Sequence, residues 1–418
     1  MQITTMKKTI IATALALPFA LSTAHAQDNN GVRISGFGTA ALTFSDTDKA
    51  EFARPNQPRG VKKDPRTGVD SNLGLQADYT VNEWLSLTGQ GLVRKDGEDD
   101  FGAELSWAFA KVKLSDEVSV RVGRMGLPAF MISDYRNVGY ANTFLRPPSE
   151  VYSQVPVNSV DGVDLTWSRA FGGTSYTAQV MLGRSKTELT GGAHAKATSL
   201  RAVNLSAERG PFTLRFGRTE TDVTIADSAS LNNLVKNFDT AGATFGISQL
   251  NDMARLIEND KTKGSFTSIG LAMDWNNVVA QTEFAKRKLD NYANATDSWY
   301  AMAGYRFGKL LPYYSHAKLT SKAEFTNTIP AACAAGAPAA CSATVRTLRA
   351  TMESLRTSSL GQSQSTDSLG LRWDVTSSAD IKFQVDRIEP EGRGLFVQAA
   401  PGFKGPVLVG AIAVDFVF

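Results

Sequence analysis

The residues with chemistry to offer are ionic. Arg33, Arg94, Arg215, Arg287, Arg306, Arg372 and Lys382 each fall in a short stretch where polar and apolar residues alternate, and Asp78, Glu104, Asp164, Asp274, Glu283, Asp374, Asp386 and Asp415 occupy equivalent positions. Fixed charges of both signs along a watery passage decide which ions and solutes cross it, with no bond made or broken. A second set is condensed in one stretch: Arg121 and Arg124, then Asp134, Tyr135, Arg136, Tyr140, Arg146, Glu150 and Tyr152. These combine cations, two carboxylates and phenol hydroxyls, and they are the candidate constriction. Wall arginines facing loop carboxylates would set a field across the opening. The alternative role for any one of them is a salt-bridged or solvated brace.

Other chemistry finds little support. A His-based hydrolase would draw on His194 or His316, yet His194 lies in a Gly/Ala-rich stretch and no Gly-x-Ser-x-Gly sequence occurs. Gly36-Phe-Gly38 lacks the third glycine of a nucleotide fingerprint, and Gly308-Lys309 lacks the upstream glycine of a phosphate loop. Cys333 and Cys341 stand close in an Ala-rich stretch with neither histidine at ligand spacing, so a disulfide pinching a surface loop is expected and a metal is not. No cofactor is called for.

Elements able to hold ionic residues against water while facing lipid are recognisable from period-two segments. The chain ends in Val407–Phe418, where Leu408, Ile412, Val414, Phe416 and Phe418 alternate with Ala411, Ala413 and Asp415. Only a closed barrel lets such a strand place one face in lipid with every backbone group paired. Sixteen candidate strands follow: 32–45, 71–81, 84–95, 103–114, 118–124, 161–170, 174–183, 199–208, 211–221, 265–275, 277–288, 297–307, 310–322, 366–375, 379–388 and 406–418. Minimal turns alternate with longer loops, as in bacterial outer-membrane barrels. In 71–81, Leu73, Leu75, Ala77 and Tyr79 face out, and Asn72, Gln76 and Asp78 face in. Segment 103–114 breaks the alternation; a bulge near Ala110, or burial against another subunit, would account for it. Eighteen strands would result if loop 222–264 or 323–365 hid a hairpin. In 222–264, the apolar spacing of 231–236 and 249–257 instead suits short amphipathic helices.

The N-terminus carries Lys7 and Lys8, an apolar run from Ile10 to Leu21, and Ala24-His-Ala26, the pattern of a secretory signal peptide over residues 1–26. The run is shorter than the roughly 20 residues of a membrane-spanning helix. Removing the leader takes two lysines from 44 basic residues against 41 acidic ones, leaving a charge near +1 and no field to announce a nucleic-acid partner. Residues 27–418 then read as one all-β transmembrane domain.

The leader, the sixteen-strand layout, the terminal Phe418 and the segment Arg121-Val-Gly-Arg-Met-Gly-Leu-Pro-Ala-Phe130 together resemble the Gram-negative general porin superfamily. The resemblance spans essentially the whole mature chain. It implies an outer-membrane location in a Gram-negative bacterium, a third loop (125–160) folded into the barrel, and a homotrimer; Gly36, Gly38 and Ala40 are compatible with packing against a neighbour. The Pro-Glu-Phe-Gly-Gly sequence of enterobacterial porins is missing from this loop, so constriction residues are taken from its own chemistry. The expected function is passive diffusion of small hydrophilic solutes and ions among outer-membrane lipid. A channel preferring an anion, carboxylate or sugar is one alternative. The other is a structural or adhesive barrel whose loops do the work.

Overall fold

The computed structural model describes residues 31–418 except 158, 190–191, 259, 294 and 324. The expected leader, residues 1–26, lies outside the described residues. Sixteen antiparallel strands close into one barrel. They are β1 (Val32–Ser45), β2 (Asn72–Thr80), β3 (Leu85–Lys95), β4 (Phe101–Lys113), β5 (Val118–Gly126), β6 (Ser159–Phe171), β7 (Thr174–Glu188), β8 (His194–Arg209), β9 (Phe212–Ala226), β10 (Thr262–Trp275), β11 (Val278–Leu289), β12 (Ala295–Tyr305), β13 (Leu310–Lys322), β14 (Gln364–Asp374), β15 (Ala379–Pro390) and β16 (Val407–Val417). Each strand pairs with its sequence neighbours, and β16 closes on β1.

The alternation anticipated from sequence governs the faces. Leu73, Leu75 and Tyr79 of β2, and Phe212, Leu214 and Phe216 of β9, are exposed outward. The opposite faces carry the polar set, including Gln76, Asp78 and Arg215. Among the described residues, loops 227–261 and 323–363 hold no further hairpin. They fold as helices α2 (Ala229–Phe245), α3 (Ser248–Ile257) and α4 (Ala339–Leu360), numbered after a one-turn helix α1 (Ser149–Tyr152). Ser228 caps α2 by accepting from the Leu231 N–H. The three longer helices bury Phe238, Leu250, Ile257, Val345 and Met352 in a core of their own, which includes Cys341 of the Cys333–Cys341 disulfide.

One local expectation needs correction. The irregularity in β4 sits at Ser106, not near Ala110: Gln90 pairs with Trp107 while Gly91 pairs with Leu105. The extra residue turns Trp107 and Phe109 into the lumen and leaves Leu105 outside. Gly36 and Gly38 serve the chain's own seam. A Cβ at Gly36 would lie 2.3 Å from the Phe418 ring, and one at Gly38 2.5 Å from that of Phe416.

Candidate functional site

The segment after β5, residues 127–157, runs along the inner wall. Its apolar side chains Leu127, Phe130, Ile132, Phe144, Val151 and Tyr152 pack on Met181, Leu200, Phe266, Tyr300, Met302 and Tyr313 of the wall. Phe130 stacks edge-on against Phe266 with centroids 5.0 Å apart, and Phe144 does the same with Tyr300 and Tyr313. A long irregular segment in such a place must satisfy its backbone polar groups, and the wall supplies the partners. Asn204 donates to Pro128 O (3.2 Å), Ser268 to Ala129 O (2.6 Å), Arg215 to Met131 O (3.1 Å) and Arg287 to Gln154 O (3.4 Å). Glu283 accepts from the Met131 N–H, 3.0 Å.

The segment then crosses to the opposite wall. Lys382 donates to Gly139 O (2.6 Å), and Arg372 to Tyr140 O (2.8 Å) and Asn142 O (3.0 Å). The backbone approaches so closely here that a Cβ on Gly139 would fall 1.9 Å from Asp415. Four of the cations expected on the pore wall, Arg215, Arg287, Arg372 and Lys382, therefore hold loop carbonyls.

Arg146 is the deepest anchor. Its guanidinium, 3% exposed, bonds to both oxygens of Asp70 (3.2 and 2.9 Å) and to Asp386. It also lies over the Phe52 ring at 4.7 Å. Burial disfavours its charge, but the two carboxylates outweigh burial and hold its pKa above the usual arginine value. The reciprocal effect on Asp70 is the same in kind: burial raises it, Arg146 and Arg54 pull it down, and the net shift is downward. Glu150 has no such cation. It accepts from Gln364 (2.6 Å) and Thr366 (2.5 Å), and burial pushes its carboxyl above the ordinary range. The Tyr152 hydroxyl reaches Glu283 (2.7 Å) and Tyr300 (3.0 Å).

Open space lies along the β1–β7 wall. On the short-turn side a cavity of about 500 Å³ is lined by Gln76, Asp78, Trp107, Phe109, Lys111 and Arg121 among others. A tighter gap, about 30 Å³, lies between Phe37, Gln90 and Trp107 on the wall and Phe130 and residues 133–138 on the loop. On the far side, Arg54, Arg94 and Arg136 line one recess together with Asn56, Asn137 and Tyr152. Arg94 is paired with Glu104 at 2.8 Å and Arg54 with Asp70 at 3.3 Å. Arg136 lies over Phe130 at 5.9 Å; burial, then the positive charges of Arg94 and Arg54, lower its pKa to about 10.

The remaining expected residues are dispersed. Asp134 and Tyr135 line the narrow gap, Asp134 ion-paired with Arg215 at 3.2 Å. Tyr140 donates to Ser377 O (2.9 Å) at a short turn. Arg121 lines the wide cavity, held by the buried Asp164. Arg306 pairs with Asp274 at 3.0 Å, and Arg33 is exposed beside Asp78 at the opposite end of the lumen from the long loops. Arg124 is a correction. It shares the parity of the outward Val122 and bonds Asp161 on the outer face, 2.7 and 2.8 Å, because alternation from Arg121 puts a residue three places on in the opposite direction. Sequence reasoning missed Arg54, Trp107 and Phe37. For Trp107 the signal was the broken alternation of β4; for Arg54, inside loop 46–70, period-two reading offered none.

A family model described as Gram-negative porin matches residues 12–321. No curated protein matches the sequence. Among solved structures, the chain resembles OmpF of Salmonella typhi, in complex with daunomycin, at 14% identity and a TM-score of 0.55, covering 93% of this chain and 99% of that one. It resembles OmpT of Vibrio cholerae in its trimer form at 13% identity and 0.51, over 93% and 99%. The outer-membrane channel DcaP of Acinetobacter baumannii follows at 10% and 0.52, over 93% and 97%. With the sixteen-stranded closed barrel and the family match over most of its length, the chain belongs to the Gram-negative porin family and is a general channel of the outer membrane.

Proposed function

We propose that this channel passes small hydrophilic solutes by diffusion and prefers anions. The observation that carries the preference is the convergence of Arg54, Arg94 and Arg136, from three separate elements, on one recess beside the tight gap. A solute entering from the long-loop side meets this cluster beside a gap that leaves it little room to keep its water. Low-dielectric walls strengthen the field there relative to bulk water. Trp107 and Phe37 give the gap an apolar side, which suits a carboxylate on a carbon frame. The wall acids are largely engaged, Asp164 by Arg121 and Asp386 by Arg146. The reading assigns no reaction to the protein. Reversal potential in a planar bilayer under a salt gradient tests it: the sign expected is that of anion flow, and a cation-signed potential at neutral pH would reject the preference.

The same reading takes the working unit as a homotrimer associating through the outer face of β16 and β1–β4. That face carries no outward charge along β1, from Val32 to Phe44, a height of about 30 Å for a strand tilted by ~40°. Gly89 and Gly91 of β3 leave open space where a neighbour's side chains would fit. Gly91→Trp is expected to fill that space and shift the purified protein toward monomer on native mass spectrometry. Unchanged stoichiometry would move the contact elsewhere.

A further inference from the structure

The outer wall of β9–β13 changes character within one residue step. Phe216, Ile269, Phe284 and Trp299 form an exposed apolar row across four strands, 37–49% accessible. Directly above, in register, lie Arg218, Thr267, Lys286 and Asp297. Lys286 is 3.9 Å from Asp297, Lys322 also pairs with Asp297, and Arg218 donates to Thr267 at 2.6 Å. Lys318, opposite Trp299, is exposed and forms no ion pair among the described residues. Arg218 also pairs with Glu220 at 2.8 Å, so four cations stand against the two carboxylates of Asp297 and Glu220.

Height decides what these cations meet. Below the charged row, β10 offers outward apolar side chains only from Ile269 down to Trp275, about 15 Å along the barrel axis. An outer-membrane barrel presents an apolar band of roughly 25 Å. Lys286 and Arg218 thus leave the wall within the height occupied by lipid. Their stems lie along the apolar surface and their charged ends reach up to headgroup level. The rim at the short-turn end of these strands is different in kind, with Phe212, Trp275, Tyr305 and Phe307 exposed; among the described residues of β9–β12 no outward Asp, Glu, Lys or Arg lies between them and the upper row, and on β13 only Lys318, opposite Trp299, does. The two edges are built for leaflets of different chemistry.

We propose that Lys286, Lys318 and Lys322, with Arg218 beside them, form a site for the phosphate group of an outer-leaflet lipid headgroup, with Trp299 packing on its chains. Ammonium groups gathered on one patch attract a phosphate dianion more strongly than a zwitterion. Asp297 holds Lys286 and Lys322 side by side.

The test is native mass spectrometry of the purified full-length protein in zwitterionic detergent doped with phosphatidic acid or, separately, phosphatidylcholine. The wild type is expected to retain phosphatidic acid, and K286Q/K318Q/K322Q to retain at least about fivefold less, with phosphatidylcholine low in both. K318Q alone, which breaks no ion pair, is expected to lose part of the binding and covers the case in which the triple variant does not fold. Equal retention by wild type and variants would overturn the proposal. So would displacement of the lipid by inorganic phosphate at matched concentration, because the site would then take free phosphate from water. Single-channel conductance and ion preference are expected to be unchanged in these variants, so the lipid site and the pore reading stand or fall separately.

Discussion

The two halves of the inner wall have opposite surroundings although both alternate in the same way. From β8 round to β15 the wall lies beneath segment 127–157, and Leu200, Phe266, Tyr300 and Tyr313 are at most 3% exposed. From β2 to β7, Gln76, Lys111, Arg121 and Gln179 line the wide cavity. A polar residue on the covered half binds loop backbone; one on the open half meets solute and ions. The same residue type therefore has a different job according to which half it occupies. Arg215 and Arg372 are fasteners, whereas Arg94 is a candidate filter.

The largest expected break in this contrast is Arg146→Ala. It leaves Asp386 buried without its cation and Asp70 with Arg54 alone, a loss of about 3–5 kcal/mol. Urea unfolding in vesicles should register it, with unsteady single-channel current as the loop comes free. Tyr152→Phe, also on the covered half, removes the hydroxyl shared with Glu283 and Tyr300 and should cost about 1–3 kcal/mol without moving the reversal potential.

On the open half the pattern should invert. R94Q/R136Q is expected to cut anion preference severalfold while unfolding changes by no more than about 1 kcal/mol. An unfolding loss as large as that of Arg146→Ala would show that the open half is structural as well.

The smallest effect concerns pH. Below the usual value of 4.5 the Glu150 carboxyl is protonated in folded and unfolded chains alike. As pH rises past that value, the unfolded chain ionises while the buried carboxyl still holds its proton, so the folded state loses stability up to the raised native pKa and then levels off. Asp70 runs the other way: its contribution is complete above its usual 3.8 and fades as pH falls through its lowered native value. Glu150→Gln should flatten the first limb of a stability-against-pH curve and leave the second.

The barrel was legible because its signal repeats. Sixteen segments each state the same period, and an error of five residues at an edge, as at the start of β8, leaves the pairing order intact. The helices were half legible. The apolar spacing at 231–236 and 249–257 pointed to α2 and α3, but α4 went unnoticed because 323–365 was searched for a hairpin. Arg124 was misplaced by nearness in sequence to Arg121, when strand parity should have decided its direction. Which cations of the lumen meet ions and which hold carbonyls depends on where an irregular segment lies, and no period encodes that. Gly139 and Arg146 take their meaning from Asp415 and Asp386, more than two hundred residues away.

The seam where β16 meets β1 has a bearing on how the molecule is made. Gly36 and Phe418 exchange both backbone hydrogen bonds at 3.0 Å, and the Phe418 ring covers the space that Gly36 leaves. The outer edge of β1 therefore stays open until β16 is seated. A sheet lacking β16 would present two unpaired edges and bare glycines at once. The seam thus acts as a latch: only when it is shut has the sheet nothing left for another sheet, or a protease, to grasp.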